Sequence, residues 1–116
     1  IAPDIVLFAG HCRNPTNRQL NIGAYERDSL TNGAQERFCD IWIRDPKYRR
    51  GSDFALCTLN EAVEIDTSLV TIELNEDDNV PLHGEDLIVM GLGLTNRSDF
   101  GSSIELKSRG IIVTND

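Results

Sequence analysis

Short apolar runs separated by turn residues repeat along the whole chain of 116 residues. β-branched residues are common in these runs, and no run approaches the roughly 20 apolar residues that a transmembrane helix needs. This pattern is typical of many short strands rather than of helices. The runs predict strands at residues 5–8, 20–24, 37–43, 54–59, 86–93 and, as one or two strands, 104–113.

Between the fourth and fifth predicted strands lie a segment of ambiguous secondary structure and then a polar segment. Residues 70–74 could form a strand or an extended connector, whereas residues 75–84 contain Pro81 and are predicted to be a linker. His83 lies in this linker without any motif around it and is interpreted as a linker residue. The pattern therefore predicts an all-β fold with a break near residues 75–84. The part after the break is too short for a complete domain, because isolated two-stranded pieces are marginal in water.

Acidic residues outnumber basic ones by 19 to 11, which gives a net charge of −8. The longest basic cluster is K-Y-R-R at residues 47–50, and we interpret it as a solvated loop. Nucleic-acid binding usually needs clustered Lys and Arg that displace phosphate counterions. We therefore expect no nucleic-acid partner and no membrane partner, and the acidity favours solubility and cationic partners.

The three cysteines, Cys12, Cys39 and Cys57, show no C-x-x-C spacing, and the chain has only two histidines. No zinc site and no cofactor are expected. Cys39 and Cys57 lie at symmetric positions around Tyr48, so they could face each other if their strands form a hairpin. Two interpretations stay open, namely a cross-strand disulfide or two buried thiols that act as small hydrophobic groups.

Five short motifs occur in one order along the chain. They are V-L-F-A-G-H-C at residues 6–12, G-A-Q at 33–35, D-P-K-Y at 45–48, D-F-A-L-C-T-L at 53–59 and V-M-G-L-G at 89–93. The first resembles V-L-T-A-[AG]-H-C and the fourth resembles D-I-A-L-L-x-L, two motifs of the trypsin-like serine proteases. Because all five motifs follow the order of that family and cover nearly the whole chain, the chain resembles a trypsin-like protease domain.

The resemblance implies a trypsin-like double β-barrel. Residues 1–75 would form most of the N-terminal barrel, and residues 76–116 would form the linker and the first strands of the second barrel. The implied function is a serine-type endopeptidase that hydrolyses polypeptides through an acyl-enzyme. His11 would be the general base, and Asp53 would fix its tautomer and stabilise the imidazolium.

The catalytic serine of the family is missing, because the sequence contains no G-D-S-G-G and none of its serines has the flanking glycines. The resemblance places that serine and the pocket for the substrate side chain beyond Asp116. We therefore expect a partial domain that is inactive alone and has the remainder of the protease domain as its partner. The resemblance also implies that Cys12 pairs with an upstream cysteine and that the protein is secreted. At the calcium loop of some relatives this chain has Ala24 and Ala34, so no metal is expected.

Two alternatives remain open. The chain could come from a non-catalytic protease homologue that acts as a binding or regulatory module. It could also be a different all-β interaction domain in which the motifs occur by coincidence. The protease interpretation requires His11 and Asp53 to lie within hydrogen-bond distance of each other.

Overall fold

The computed structural model describes residues 1–26, 30, 33–93 and 106–113. In that part of the chain the fold is all-β, as predicted, with a single short 3₁₀ turn at Tyr48–Arg50. No helix among these residues has the length and apolar character that crossing a membrane requires. The first two residues of the last predicted strand, 104 and 105, lie outside the described residues. The strands are β1 Ile5–Phe8, β2 Gln19–Ile22, β3 Gln35–Arg44, β4 Ala55–Leu59, β5 Asp86–Gly91 and β6 Lys107–Ile112.

The first four strands form one antiparallel sheet in the order β1-β4-β3-β2. β2 ends at Ile22, two residues before the predicted end. Gly23, which follows it, has a φ of 74°, a conformation that favours glycine. A Cβ atom there would also lie 2.8 Å from Cδ1 of Leu69. A sharp turn packed against Leu69 therefore ends the strand.

Cys39 and Cys57 form a disulfide between β3 and β4, with a Cα–Cα distance of 5.8 Å. Of the two interpretations left open by the sequence, the structure shows the disulfide. The cysteines do not face each other directly, because Cys57 lies opposite Trp42 while Cys39 lies opposite Leu59. A register shift between Cys39 and Ile41 makes the two cysteines diagonal neighbours. Both cysteines are fully buried.

The hydrophobic core lies between this sheet and the segment that follows β4. Val63 and Leu69 of that segment cover the inner face of the sheet, and the Val63 amide donates to the Pro3 carbonyl at 2.8 Å. Phe8 and Trp42 pack edge to face at the border of the core, with ring centroids 5.6 Å apart. The buried apolar residues are Cys39, Ala55, Cys57, Leu59, Val63 and Leu69.

Residues 70–74 form no strand, and Val70 and Ile72 are 72% and 73% exposed. Apolar and polar residues alternate in this segment as in a strand, but no strand in the described part of the chain pairs with it. After this connector, β5 and β6 form a separate antiparallel pair, with Asp86 opposite Ile112. The Leu106 amide donates to the Tyr25 carbonyl at 2.8 Å, which joins the residue before β6 to the segment that follows β2.

Candidate active site

The candidate site lies where β1 ends and β4 begins. The two strands are antiparallel, and Phe8 lies opposite Ala55, so the end of β1 and the start of β4 share one edge of the sheet. His11 follows β1 in a turn closed by the Cys12 amide, which donates to the Ala9 carbonyl at 3.1 Å. The sheet therefore brings together two residues that are 42 positions apart in the sequence.

The Asp53 carboxylate contacts His11 at two points. Its Oδ2 lies 2.7 Å from the imidazole Nδ1, and its Oδ1 accepts a hydrogen bond from the His11 backbone amide at 2.8 Å. Contact with both the ring and the backbone fixes the ring orientation as well as its distance. Both side chains are open to solvent, with 66% of His11 and 49% of Asp53 exposed.

The hydrogen bond from the His11 side chain is the main reason why the pKa of Asp53 lies below its usual value, and backbone hydrogen bonds from His11 and Gly10 add to this. Asp53 is therefore ionised at neutral pH, and an ionised carboxylate can only accept hydrogen bonds. Nδ1 of His11 must then be the donor. In the neutral imidazole this leaves Nε2 as the nitrogen that can take up a proton.

Gly10 allows the His11 turn to approach the loop before β4. A Cβ atom at Gly10 would lie 2.9 Å from Cδ2 of the Tyr48 ring and 3.0 and 3.1 Å from the backbone N and O of Phe54. Backbone atoms cannot move aside as a flexible side chain can, so a larger residue would push His11 away from Asp53. The position of Gly10 beside the histidine in the first motif is the one sequence signal for this role.

Asp45 closes the loop that presents Asp53. Its Oδ1 accepts from the Lys47 amide at 2.6 Å, and its Oδ2 accepts from the Ser52 hydroxyl at 2.7 Å. The Ser52 and Lys47 hydrogen bonds hold the pKa of Asp45 below its usual value. The Asp45 amide also donates to the Phe54 carbonyl at 3.1 Å. The D-P-K-Y motif was noticed in the sequence, but this role of Asp45 was not.

No group of three or more His, Cys, Asp and Glu side chains converges as a metal site within the described ranges. His83, the second histidine, is exposed in the turn before β5 and takes no part in the pair. The site thus consists of an imidazole, a carboxylate and the loop that supports them. It can accept a proton at Nε2, and the adjacent Asp53 carboxylate can stabilise the resulting positive charge.

A comparison with protein-family models matches residues 1–114 to the model described as Trypsin. The chain therefore belongs to the trypsin family, as the five motifs predicted. A search among curated proteins found no match. Family membership supports a serine-protease-type function with a polypeptide substrate, and the all-β fold agrees with it.

Proposed function

We propose that this chain supplies the general base, His11, and its orienting carboxylate, Asp53, to a serine endopeptidase. The observation that carries the proposal is the two-point contact of Asp53 with the ring and the backbone of His11. Within the trypsin family, a histidine and an aspartate in these two motifs are expected to have these roles.

The chemistry follows from the weakness of a serine hydroxyl as a nucleophile at neutral pH. Nε2 of His11 takes the proton from the serine as the hydroxyl oxygen attacks the peptide carbonyl. The imidazolium then gives that proton to the leaving amine, and an acyl-enzyme remains. In the second half, Nε2 takes a proton from the water that attacks the acyl carbonyl. The imidazolium then gives that proton to the serine oxygen as the acyl–oxygen bond breaks and the acid product leaves. Asp53 stabilises the imidazolium in both halves.

The nucleophile is proposed to come from polypeptide outside this sequence. In this view residues 1–75 are the N-terminal barrel portion, and residues 76–116 are the linker and the start of the second barrel. The 116-residue chain alone should then be inactive, because removal of the nucleophile lowers turnover in triad proteases by about 10⁶-fold. A fluorophosphonate probe should leave the purified chain unlabelled, and peptide substrates should stay intact. Labelling together with cleavage would contradict this.

The decisive test starts from the coding sequence that follows Asp116, which we expect to encode G-D-S-G-G. In the protein that includes this continuation, His11→Ala should lower kcat/KM by about 10⁴- to 10⁶-fold. His83→Ala is the matched control and should leave kcat/KM unchanged. Activity that survives His11→Ala would overturn the proposal. A continuation without the serine motif would favour the non-catalytic homologue instead.

We further propose that the protein functions in an oxidising compartment outside the cell. Structural disulfides form and persist mainly in secreted proteins. The Cys39–Cys57 disulfide is fully buried in the core of the first sheet, so it supports this location. This location is tested by counting thiols on protein isolated from its natural source and then denatured, with and without reductant. If Cys39 and Cys57 are already free thiols without reductant, an oxidising compartment is contradicted.

A further inference from the structure

We propose that the loop beside His11 selects substrates by charge and binds acidic side chains of the polypeptide that lies across the imidazole. This inference rests on the proposed function, because it concerns the substrate of the same site. The loop and its neighbour carry five cations, which we call the basic rim: Arg13, Arg44, Lys47, Arg49 and Arg50.

The region around the basic rim carries a net positive charge, whereas the rest of the chain carries a net negative charge. Residues 11–13 and 44–53, which hold the candidate pair and the rim, contain five of the eleven cations and two of the nineteen acidic residues. Their formal charge is therefore +3, while the remainder of the chain carries −11. A concentration of positive charge at the proposed reaction site is a reason to expect recognition of negative charge there.

The cations of the rim are available to a ligand. All five side chains are exposed, and none of them forms a salt bridge within the described part of the chain. The two acidic residues of this region are already engaged, since Asp45 accepts from the Lys47 backbone amide and the Ser52 hydroxyl and Asp53 accepts from His11. Besides the Ser52 and Lys47 hydrogen bonds, the Lys47 charge also contributes to the lowered pKa of Asp45. The Arg44 guanidinium lies over the Tyr48 ring, 4.5 Å from its centroid, so it is held against the same loop.

The rim lies close to the reacting nitrogen. Tyr48 begins the 3₁₀ turn that carries Arg49 and Arg50, and its ring packs against the Gly10 backbone next to His11. A scissile bond must approach Nε2 to about 3 Å for proton transfer. Its flanking residues extend about 3.3 Å each along the chain. Side chains two or three residues from that bond therefore lie about 7–10 Å from it, which is within a Debye length, ~10 Å at 0.1 M salt.

The charge distribution favours a short acidic peptide segment over a long polyanion. A nucleic acid or a sulfated polysaccharide carries charge along its whole length and would be repelled by the −11 outside the rim. An acidic segment in an extended peptide places one or two carboxylates at the rim and little charge elsewhere. The ligand class is therefore a polypeptide with Asp or Glu within a few residues of the scissile bond.

The experiment uses the ¹⁵N-labelled 116-residue chain and three peptides of equal length that differ only in containing Asp, Asn or Lys near the centre. The Asp peptide should shift the amide signals of residues 44–53 and His11 and should bind most tightly. Arg49→Glu and Arg50→Glu should each weaken its binding by roughly two- to fivefold or more, as expected for exposed ion pairs. Arg109→Glu in β6 makes the same charge change away from the site and should have little effect.

Three results would overturn the inference. One is equal affinity for the Asp and Asn peptides, and another is an equal loss in Arg109→Glu and in the rim variants. The third is tighter binding of a DNA oligonucleotide or a sulfated polysaccharide to the same amides. Retained signals for the His11–Asp53 contact show that a variant is folded. Peptide binding needs no nucleophile, so the two tests are independent. If the Asp peptide does not bind, the His11→Ala activity test still decides the proposed function. If that activity test fails, the peptide-binding result still decides whether the basic rim recognises acidic side chains.

Discussion

The four-stranded sheet and the two-stranded ribbon of β5 and β6 are both held by backbone hydrogen bonds between antiparallel strands. They differ in what covers their side chains. The sheet buries Cys39, Cys57 and Leu59 almost completely. In the ribbon, Ile88 and Met90 are 72% and 66% exposed. Hydrogen-bond register alone therefore does not produce a core, because a core requires a second layer on the apolar face.

This difference bears on function, because His11 follows β1 and Asp53 precedes β4, two strands of the covered sheet. A catalytic pair must be held within a fraction of an ångström, and supporting packing provides that precision. The sheet supplies it through β1 and β4, whose ends present the two residues. The ribbon offers no comparable support among the described residues, and the proposed site uses none of its side chains.

The largest expected effect is on the free energy of unfolding, when one aliphatic side chain in each region is truncated. Leu59→Ala should lower the free energy of unfolding by about 2–5 kcal/mol, because it opens a cavity beside the disulfide. Ile88→Ala should change it by less than about 0.5 kcal/mol, because that side chain is exposed. Urea unfolding followed by Trp42 fluorescence measures both. Similar losses in the two variants would contradict the contrast between the regions.

Removal of the disulfide should have the next largest effect. Cys39→Ser combined with Cys57→Ser frees a loop of 18 residues and should cost about 3 kcal/mol of unfolding free energy. Hydrogen exchange of individual amides would show where that loss occurs. Protection should fall across β3 and β4 and stay unchanged in β5 and β6. A uniform loss would mean that the two regions unfold as one unit.

A pair of glycine variants tests the close approach at the site. Gly10→Ala should cost about 1–3 kcal/mol, because the added methyl group meets backbone atoms of Phe54. It should also shift the His11 amide signal as the contact with Asp53 lengthens. Gly93→Ala meets nothing within 4 Å and should stay within about 0.5 kcal/mol of the parent. A neutral Gly10→Ala would show that the turn has more room than the structure indicates.

The smallest effect concerns pH. Because the pKa of Asp53 is lowered in the folded chain, its stabilising contribution is complete above its ordinary value of 3.8. That contribution is lost as the pH falls through the lowered value. His11→Ala removes the main cause, so the pKa of Asp53 should rise toward the ordinary value in a ¹³C carboxyl titration. Asp66, whose pKa is lowered by hydrogen bonds from Ser68 and Leu69, is the internal control and should not move.

Much of this fold could be predicted from the sequence because its strands are short apolar runs bounded by turn residues. These runs located β1, β3, β4 and β5 to within a few residues. The two motifs around His11 and Asp53 also predicted that these residues would lie close together. Such predictions succeed where local pattern and family motif agree, since each strand carries its own signal.

The remaining features depend on partners that are distant in the chain. Residues 70–74 have the alternation of a strand, but no strand among the described residues pairs with them. The register shift after Cys39 is decided by how β3 pairs with β4, so symmetry around Tyr48 placed the two cysteines slightly wrongly. The roles of Gly10 and Asp45 depend on the approach of Phe54 and Ser52, which no local pattern describes.

The measurement that tests the central claim most directly is the tautomer of His11 in the neutral imidazole, read from the ¹⁵N chemical shifts of its two ring nitrogens. An ionised Asp53 at 2.7 Å requires the proton on Nδ1 and leaves Nε2 as the base. His83, which is exposed, serves as the reference within the same molecule. We predict that His11 is the Nδ1–H tautomer, in contrast to His83, and that Asp53→Asn removes the difference. Equal ring shifts for the two histidines in the parent chain would contradict the account.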